Sequence, residues 1–407
     1  MVWTGLHLPP IAIEARSPLT VETILKLFLP AQLAIVASAY ATTHKYGFLT
    51  RVSLLPVVLF LCYRLAVGID VSRQDIHIDV LGFHIKGDNL AQAYFNQGLL
   101  IGMFLSSLRA ISWTFSGAPS RSVVRELCTL RGKHVPKPCE WRPTGQRGLF
   151  IFLTILSALA STLLFDLIHI HIHILAPDLF RVPGGHPNGL LGNEWPTLKT
   201  MHLSACAYLL TWLTLHRVYD VATLVGVGLV RQDPAEWPPL FGTFYVSTSL
   251  RAFWGRQWHQ LFRDAFVGAV GKPVSLGLTR IGAGASRSVV DFVAGLAVFV
   301  VSAVMHWLGI WAMGMGSDGW KTGGFFVVQY AGIVLQTSAR RLAGEKRNGL
   351  VWALLSWAFT AFWIVWWGTW MVDEWVRRGF VFDLAILPDP AAARLARFLK
   401  NVLPYGN

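Results

Sequence analysis

The chain of 407 residues is 54% hydrophobic and only 14% charged, against about a quarter charged in ordinary soluble domains. This excludes a typical water-soluble enzyme and points to a polytopic membrane protein. The formal net charge of +13 lies mostly in short loops beside apolar segments, where Lys and Arg mark the cytosolic side, so membrane topology accounts for it and no nucleic-acid partner is expected. The cysteines Cys62, Cys128, Cys139 and Cys206 show neither a disulfide framework nor paired metal-ligand spacing.

The amino terminus, MVWTGLHLPP, lacks a basic region leading into an apolar one, so the first span is expected to do the targeting. Apolar windows predict spans near 24–42, 52–69, 92–113, 149–175, 201–230, 289–313, 323–338 and 349–371, each near the roughly 20 residues that cross a bilayer core. The expectation is a single all-α domain over 1–407, a polytopic transmembrane bundle of about 8–10 helices. The third span is half polar, and Arg64 stands inside the second.

Loop charges set the orientation. Residues 116–147 carry Arg121, Arg125, Arg131, Lys133, Lys137, Arg142 and Arg147 against Glu126 and Glu140, which places this loop in the cytosol. Counting spans then puts 231–288 and 339–348, the latter with Arg340, Arg341, Lys346 and Arg347, on the same side, opposite an acidic loop holding Asp70, Asp75, Asp79 and Asp88. The tail breaks the pattern: Arg377, Arg378, Arg394, Arg397 and Lys400 fall on the outer side by parity.

Several spans carry polar groups. In FDLIHIHIHIL, Asp166, His169 and His173 share one helical face with apparent metal-ligand spacing. No second histidine and carboxylate cluster follows, so a span-end or cavity-lining role is preferred and no metal is expected. Farther on, His216, Arg217 and Asp220 interrupt an apolar run, and the spacing predicts an Arg217–Asp220 ion pair. The break RQDPAEWPPLFG, with Pro234, Pro238 and Pro239, resists helix and delivers the chain into SLRAFWGRQWHQLFRD.

On a helix, Trp254, Trp258, Leu261, Phe262 and Phe266 form an apolar stripe, while Arg256, His259, Gln260 and Arg263 share the other face. Two flanking arginines favour an uncharged His259. The pattern suits a helix lying in the membrane interface as well as it suits a reactive site. Downstream, VSAVMHWLGIW sets His306 deep in an apolar run, with Ser302 one turn before it. Such a group is either a bonded structural histidine or a functional one facing a polar cavity. The Gly282 and Gly284 pair lacks the rest of a dinucleotide fingerprint. In the last span, Trp352, Trp357, Trp363, Trp366, Trp367 and Trp370 suit interface anchoring and lipid packing, with an acceptor pocket as the functional alternative.

Together these residues carry a family resemblance. Pro239-Leu240-Phe241-Gly242, then Ser249 through His259, then Ser302-Ala303-Val304-Met305-His306 resemble the motifs of the membrane-bound O-acyltransferase (MBOAT) superfamily, in its wax-synthase-like branch, and particularly the fungal terpenoid and meroterpenoid O-acetyltransferases. Gln257 replaces a frequent arginine and Ala303 replaces the glycine of the second motif. The resemblance implies a bundle enclosing a reaction chamber, with a motif core at about 231–313. It further implies a multi-pass protein of the endoplasmic reticulum, its motif loop toward the cytosol.

The activity so implied is acetylation of a hydroxyl on a lipophilic terpenoid, with acetyl-CoA as cosubstrate and no bound cofactor. His306 would act as general base and His259 as its catalytic partner. Trp254, Arg256, Trp258, Gln260, Arg263 and Ser302 would meet substrate or CoA. Independently of the resemblance, an alcohol needs deprotonation to attack a thioester, imidazole titrates near neutrality, and the sequence offers no nucleophile elbow for an acyl-enzyme. Two alternatives stand beside this reading: long-chain acyl transfer to a fatty alcohol, and a proton-coupled transporter using the intramembrane His, Asp and Arg. The transporter would be expected to show a halved repeat, which the chain lacks.

Overall fold

Every apolar run expected to span folds as a helix, because a backbone in lipid must satisfy its own hydrogen bonds. The computed structural model describes residues 7–12, 15–44, 47–78, 83–88, 93–115, 142–180, 185–192, 194–281, 286–343 and 349–380. Most of the basic loop at 116–147, and the tail cations beyond 380, lie outside these residues, as do Cys128, Cys139, Gly282 and Gly284. Eight long helices match the eight expected spans: α1 Val21–Ala41, α2 Phe48–Gly68, α3 Tyr94–Phe115, α4 Arg147–Leu175, α5 Leu198–Thr223, then α7 Arg287–Ala312, α8 Gly319–Ala343 and α9 Leu350–Arg377, with a shorter α6 at Lys272–Ile281 before α7. Six of them are long and apolar enough to cross a membrane on composition alone. The other two, α5 and α8, carry Asp220 and Lys321 among other polar side chains that their neighbours cover.

Local signals fix the helix starts. Thr197 caps α5 in a capping box with Thr200, and Ser286 accepts the Val289 N–H at the head of α7. Packing then follows an arc: α1, α2 and α3 stack together, α3 meets α7, α7 meets α8, α8 meets α9, α9 returns to α5, and α5 packs on α4. One core joins α4, α5, α7, α8 and α9 through Phe165, Leu210, Ile310, Phe325 and Val372. A second joins α1, α2 and α3 through Ala31, Leu65 and Ala110, with Ala312 of α7.

Among the described residues, two small sheets depart from the all-helical expectation: in one, His7–Leu8 pairs antiparallel with Ser317–Asp318, and the other has three strands. Ile69–Ile78 pairs antiparallel with Phe83–Asp88 and parallel with Ser17–Leu19. In IDVSRQDIHI, apolar and polar residues alternate only at the two ends, in opposite phases around the polar run SRQD, so the sequence carries no continuous strand period. Asp70 anchors this corner, accepting from Ser72 Oγ at 2.6 Å and Asn96 Nδ2 at 2.7 Å.

The two ends of the bundle differ chemically. At one, Arg147 donates to Val227 O at 2.7 Å and Gln232 O at 3.0 Å, and Trp357 Nε1 donates to Tyr245 O at 2.8 Å. At the other, fully buried Asp373 accepts from Leu191 N at 2.7 Å, from Arg377 Nε at 2.9 Å and from Lys321, while Glu374 accepts from Arg378 Nε at 2.9 Å. Arg377 and Arg378, out of place by loop counting, are therefore ion-pair partners of buried carboxylates.

The expected Arg217–Asp220 pair does not form. Asp220, fully buried, instead pairs with Arg142 at 2.9 Å and stands 3.4 Å from His216, whereas the Arg217 guanidinium lies 4.0 Å over the Phe165 ring. Asp220 and Arg217 are three residues apart on one helix, but α4 and the segment leading into it offer each a closer partner.

Candidate active site

The motif does not continue as one helix. Ser249 caps Leu250–Ala252, and the chain then widens into a π-helical turn over Phe253–Gln257, with Trp258 N–H bonded to Phe253 O at 2.8 Å. Trp258 is extended (ψ 162°), and helix resumes only at Arg263–Phe266. Two contacts hold the break. Gly242 N–H takes the Gln257 carbonyl at 2.8 Å, and Gln260 Nε2 donates to Trp258 O at 2.7 Å. A Cβ on Gly242 would stand 3.2 Å from Gln257 Cα, so the glycine of the Pro-x-Leu-Phe-Gly stretch permits the close backbone approach. Leu240 and Phe241 are buried beneath it against Phe253 and Trp258.

The expected stripe is consequently split. Phe266 and Ala265 pack on Leu108 and Met305, which carries the motif down between α3 and α7 to the level of His306 and excludes a helix lying flat on the surface. Trp258 is buried, and His259 stands among Phe241, Trp258 and Phe262 at ring distances of 5.9, 5.6 and 4.8 Å.

A cavity of about 720 Å³ opens beside this break. One face of α7 lines it through Ser288, Asp291, Gly295, Phe299, Ser302 and His306. These residues recur every three or four positions, so at 1.5 Å per residue the lined face runs about 27 Å along the helix, close to the roughly 30 Å of a bilayer core. Arg251, Asp291 and Arg341 line one part, Arg251 and Arg341 being exposed there, while Met371 and Trp375 of α9 line another.

Both histidines border this space. His306 Nδ1 lies 2.8 Å from the Ser302 carbonyl. A carbonyl only accepts, so Nδ1 carries the proton and Nε2 is left as the basic nitrogen. The ring stacks on Phe326 at 4.3 Å, and Phe262 stands 6.1 Å away, bridging to His259. His259 Nδ1 is buried without a hydrogen-bond partner. Burial, aided by the nearby His306, pushes His259 down to about 3. The leading cause differs from the one expected: it is burial rather than the flanking Arg256 and Arg263, which are exposed.

Of the residues singled out by sequence, His259, His306, Trp254, Trp258, Gln260, Arg263 and Ser302 line the cavity. Arg256 does not: the π turn swings it outward to an exposed position. Trp254 Nε1 donates to Gln329 Oε1 at 3.2 Å and Gln260 is occupied by Trp258 O, so both have positioning contacts. Sequence reasoning missed Arg251, Arg341, Phe326, Tyr208 and Tyr330, which also line the space. Only Arg251, inside the motif, carried a signal. Of the tryptophans named in α9, Trp357 lines the cavity and the other five do not.

Residues 237–328, which hold both histidines, match the profile of the Membrane bound O-acyl transferase family. The chain is similar to Acetyltransferase eriL of Hericium erinaceus, 29% identical over 57% of this chain and 60% of that protein. It is 27% identical to Acetyltransferase fsoF of Humicola fuscoatra over 48% of this chain and 50% of that protein. It is 30% identical to Acetyltransferase aurG of Calcarisporium arbuscula over 37% of this chain and 38% of that protein. The matched stretches thus span from about two fifths to three fifths of these relatives. The chain is a multi-pass helical membrane protein whose residues 237–328 are similar to the membrane-bound O-acyltransferase family and which is similar to fungal acetyltransferases.

Proposed function

We propose that the protein is an acyl-CoA-dependent O-acetyltransferase acting on the hydroxyl of a lipophilic acceptor, a terpenoid or meroterpenoid alcohol. One observation carries this reading: an elongated cavity bordered by two imidazoles and, elsewhere along its lining, by exposed arginines. The shape suits a molecule with an anionic head and a long thioester arm. Arg251 and Arg341 meet the phosphates of CoA, and the arm follows the α7 face to His306. The naming of the relatives as acetyltransferases favours acetyl over longer donors.

In the reaction, His306 Nε2 takes the proton of the acceptor hydroxyl as its oxygen attacks the thioester carbon. The C–S bond then breaks, and the imidazolium returns the proton to the departing thiolate. The Ser302 carbonyl holds the ring in the required tautomer throughout. His259, neutral and with Nδ1 unengaged, offers its hydrogen bond to the oxygen that becomes negative in the tetrahedral intermediate. The motif loop faces the cytosol, and the membrane is that of the endoplasmic reticulum.

The test is thiol release from acetyl-CoA in the presence of a panel of terpenoid and fatty alcohols, with palmitoyl-CoA as competing donor. The expected result is acceptor-dependent release with acetyl-CoA, reduced on the order of a hundredfold or more in His306→Ala. Near-wild-type turnover by a monodisperse His306→Ala protein overturns the base assignment. Absence of thiol release with every donor overturns the activity itself.

A further inference from the structure

We infer that His171, His202 and Cys206 form a zinc-binding site clipping the end of α4 to the start of α5. The three ligand atoms lie within 4.8 Å of one another. His171 Nε2 and His202 Nε2 are 2.8 Å apart although 31 residues separate them in sequence, and Cys206 Sγ lies 3.7 Å from His202 Nε2. Tetrahedral zinc, with Zn–N of about 2.0–2.1 Å and Zn–S of about 2.3 Å, sets its donors roughly 3.3–3.8 Å apart. The Cys206–His202 pair already stands at that spacing, the two rings must part by about half an ångström, and the widest pair of the three, at up to 4.8 Å, must close by about 1 Å, shifts within reach of side-chain rotation.

The donor chemistry is selective. Two imidazoles and a thiolate suit zinc or copper and are poor ligands for magnesium or calcium. His202 and Cys206 stand one helical turn apart on the same face of α5, so one rigid helix presents two ligands and α4 supplies the third. Cys206 is buried, His171 half-buried and His202 exposed. This gradient leaves a solvent route for the ion and an open fourth position for water. Asp166, the carboxylate first considered, is not among the three, and His169 and His173 bond to each other at 3.0 Å on another face.

The clip has a mechanical meaning. Ala205, Tyr208 and Leu209 of α5 line the cavity, on the turns that carry His202 and Cys206. A metal bond to α4 holds that wall in place without entering the reaction.

The experiment uses the purified full-length protein in detergent, stripped with chelator and titrated with Co2+, then with Zn2+. The expected result is one equivalent of Co2+ bound with the visible bands of a tetrahedral site and a thiolate-to-cobalt charge-transfer band, both displaced by Zn2+. Cys206→Ser should remove the charge-transfer band, His171→Ala should weaken Co2+ binding at least tenfold, and His173→Ala should change neither. Wild-type protein that stays colourless, or shows only the weak bands of octahedral cobalt, overturns the site without reference to any variant. So does a charge-transfer band that survives in Cys206→Ser. Thermal unfolding of the wild type with and without Zn2+ gives a second reading: a midpoint that rises with Zn2+ concentration is expected, and a constant one counts against the site. Neither measurement depends on acetyl transfer.

Discussion

His259 and His306 have the same side chain in different settings. His306 has its Nδ1 proton held by the Ser302 carbonyl, whereas His259 stands half-buried among aromatic rings with its Nδ1 buried and unsatisfied. Burial carries His259 from an ordinary 6.5 to about 3. Between those values the unfolded chain binds a proton that the folded chain refuses. The contribution of this residue to stability is therefore complete above about pH 6.5 and is lost progressively as pH falls toward 3. His259→Gln removes that linkage. Thermal unfolding in detergent from pH 7 to 4 should show a shallower acid-side decline in the variant than in the wild type, and parallel declines would contradict the burial argument.

At the scale of elements, helix contacts run through small residues. Gly368 of α9 lies against Tyr208 of α5, where an added Cβ would stand 2.5 Å from the ring and where Tyr208 donates to the Gly368 carbonyl at 3.3 Å. Gly368→Ala is expected to cost about 1–3 kcal/mol by overpacking, read as a lowered unfolding midpoint, and to move Tyr208 in the cavity wall. Such contacts also mark where sequence reading stops. The eight long helices were legible, and six of them as spans, because apolar length needs no tertiary information, and His306 stood out because a lone polar group in an apolar run is conspicuous. The break at Trp258 was not legible: Trp254, Trp258 and Phe262 satisfy a helical period, and the interruption comes from Gly242 and Gln260 capturing carbonyls of residues 257 and 258. Asp220 likewise found Arg142, which no periodicity of its own helix could announce. The same holds for His171, whose partners lie on the following helix.

For the molecule as a whole, charge is distributed unevenly along the cavity. Arg251, Arg263 and Arg341 line it and are exposed, with Asp291 the acidic residue among them. Attraction of this kind acts over about 8–10 Å at ordinary ionic strength and weakens as salt rises. Acyl-CoA turnover should therefore lose kcat/KM with added salt, and Arg341→Ala should raise KM severalfold with little change in kcat while flattening that salt dependence. An unchanged KM would place CoA elsewhere.

The arc of helices has a consequence for biogenesis. Since α9 bridges α8 and α5 and brings Asp373 and Glu374 to their basic partners, the enclosure stays incomplete until this helix leaves the ribosome. Until then a nascent chain holds an unsealed, aromatic-lined furrow toward lipid, so premature termination before residue 350 should yield a product that quality control destroys.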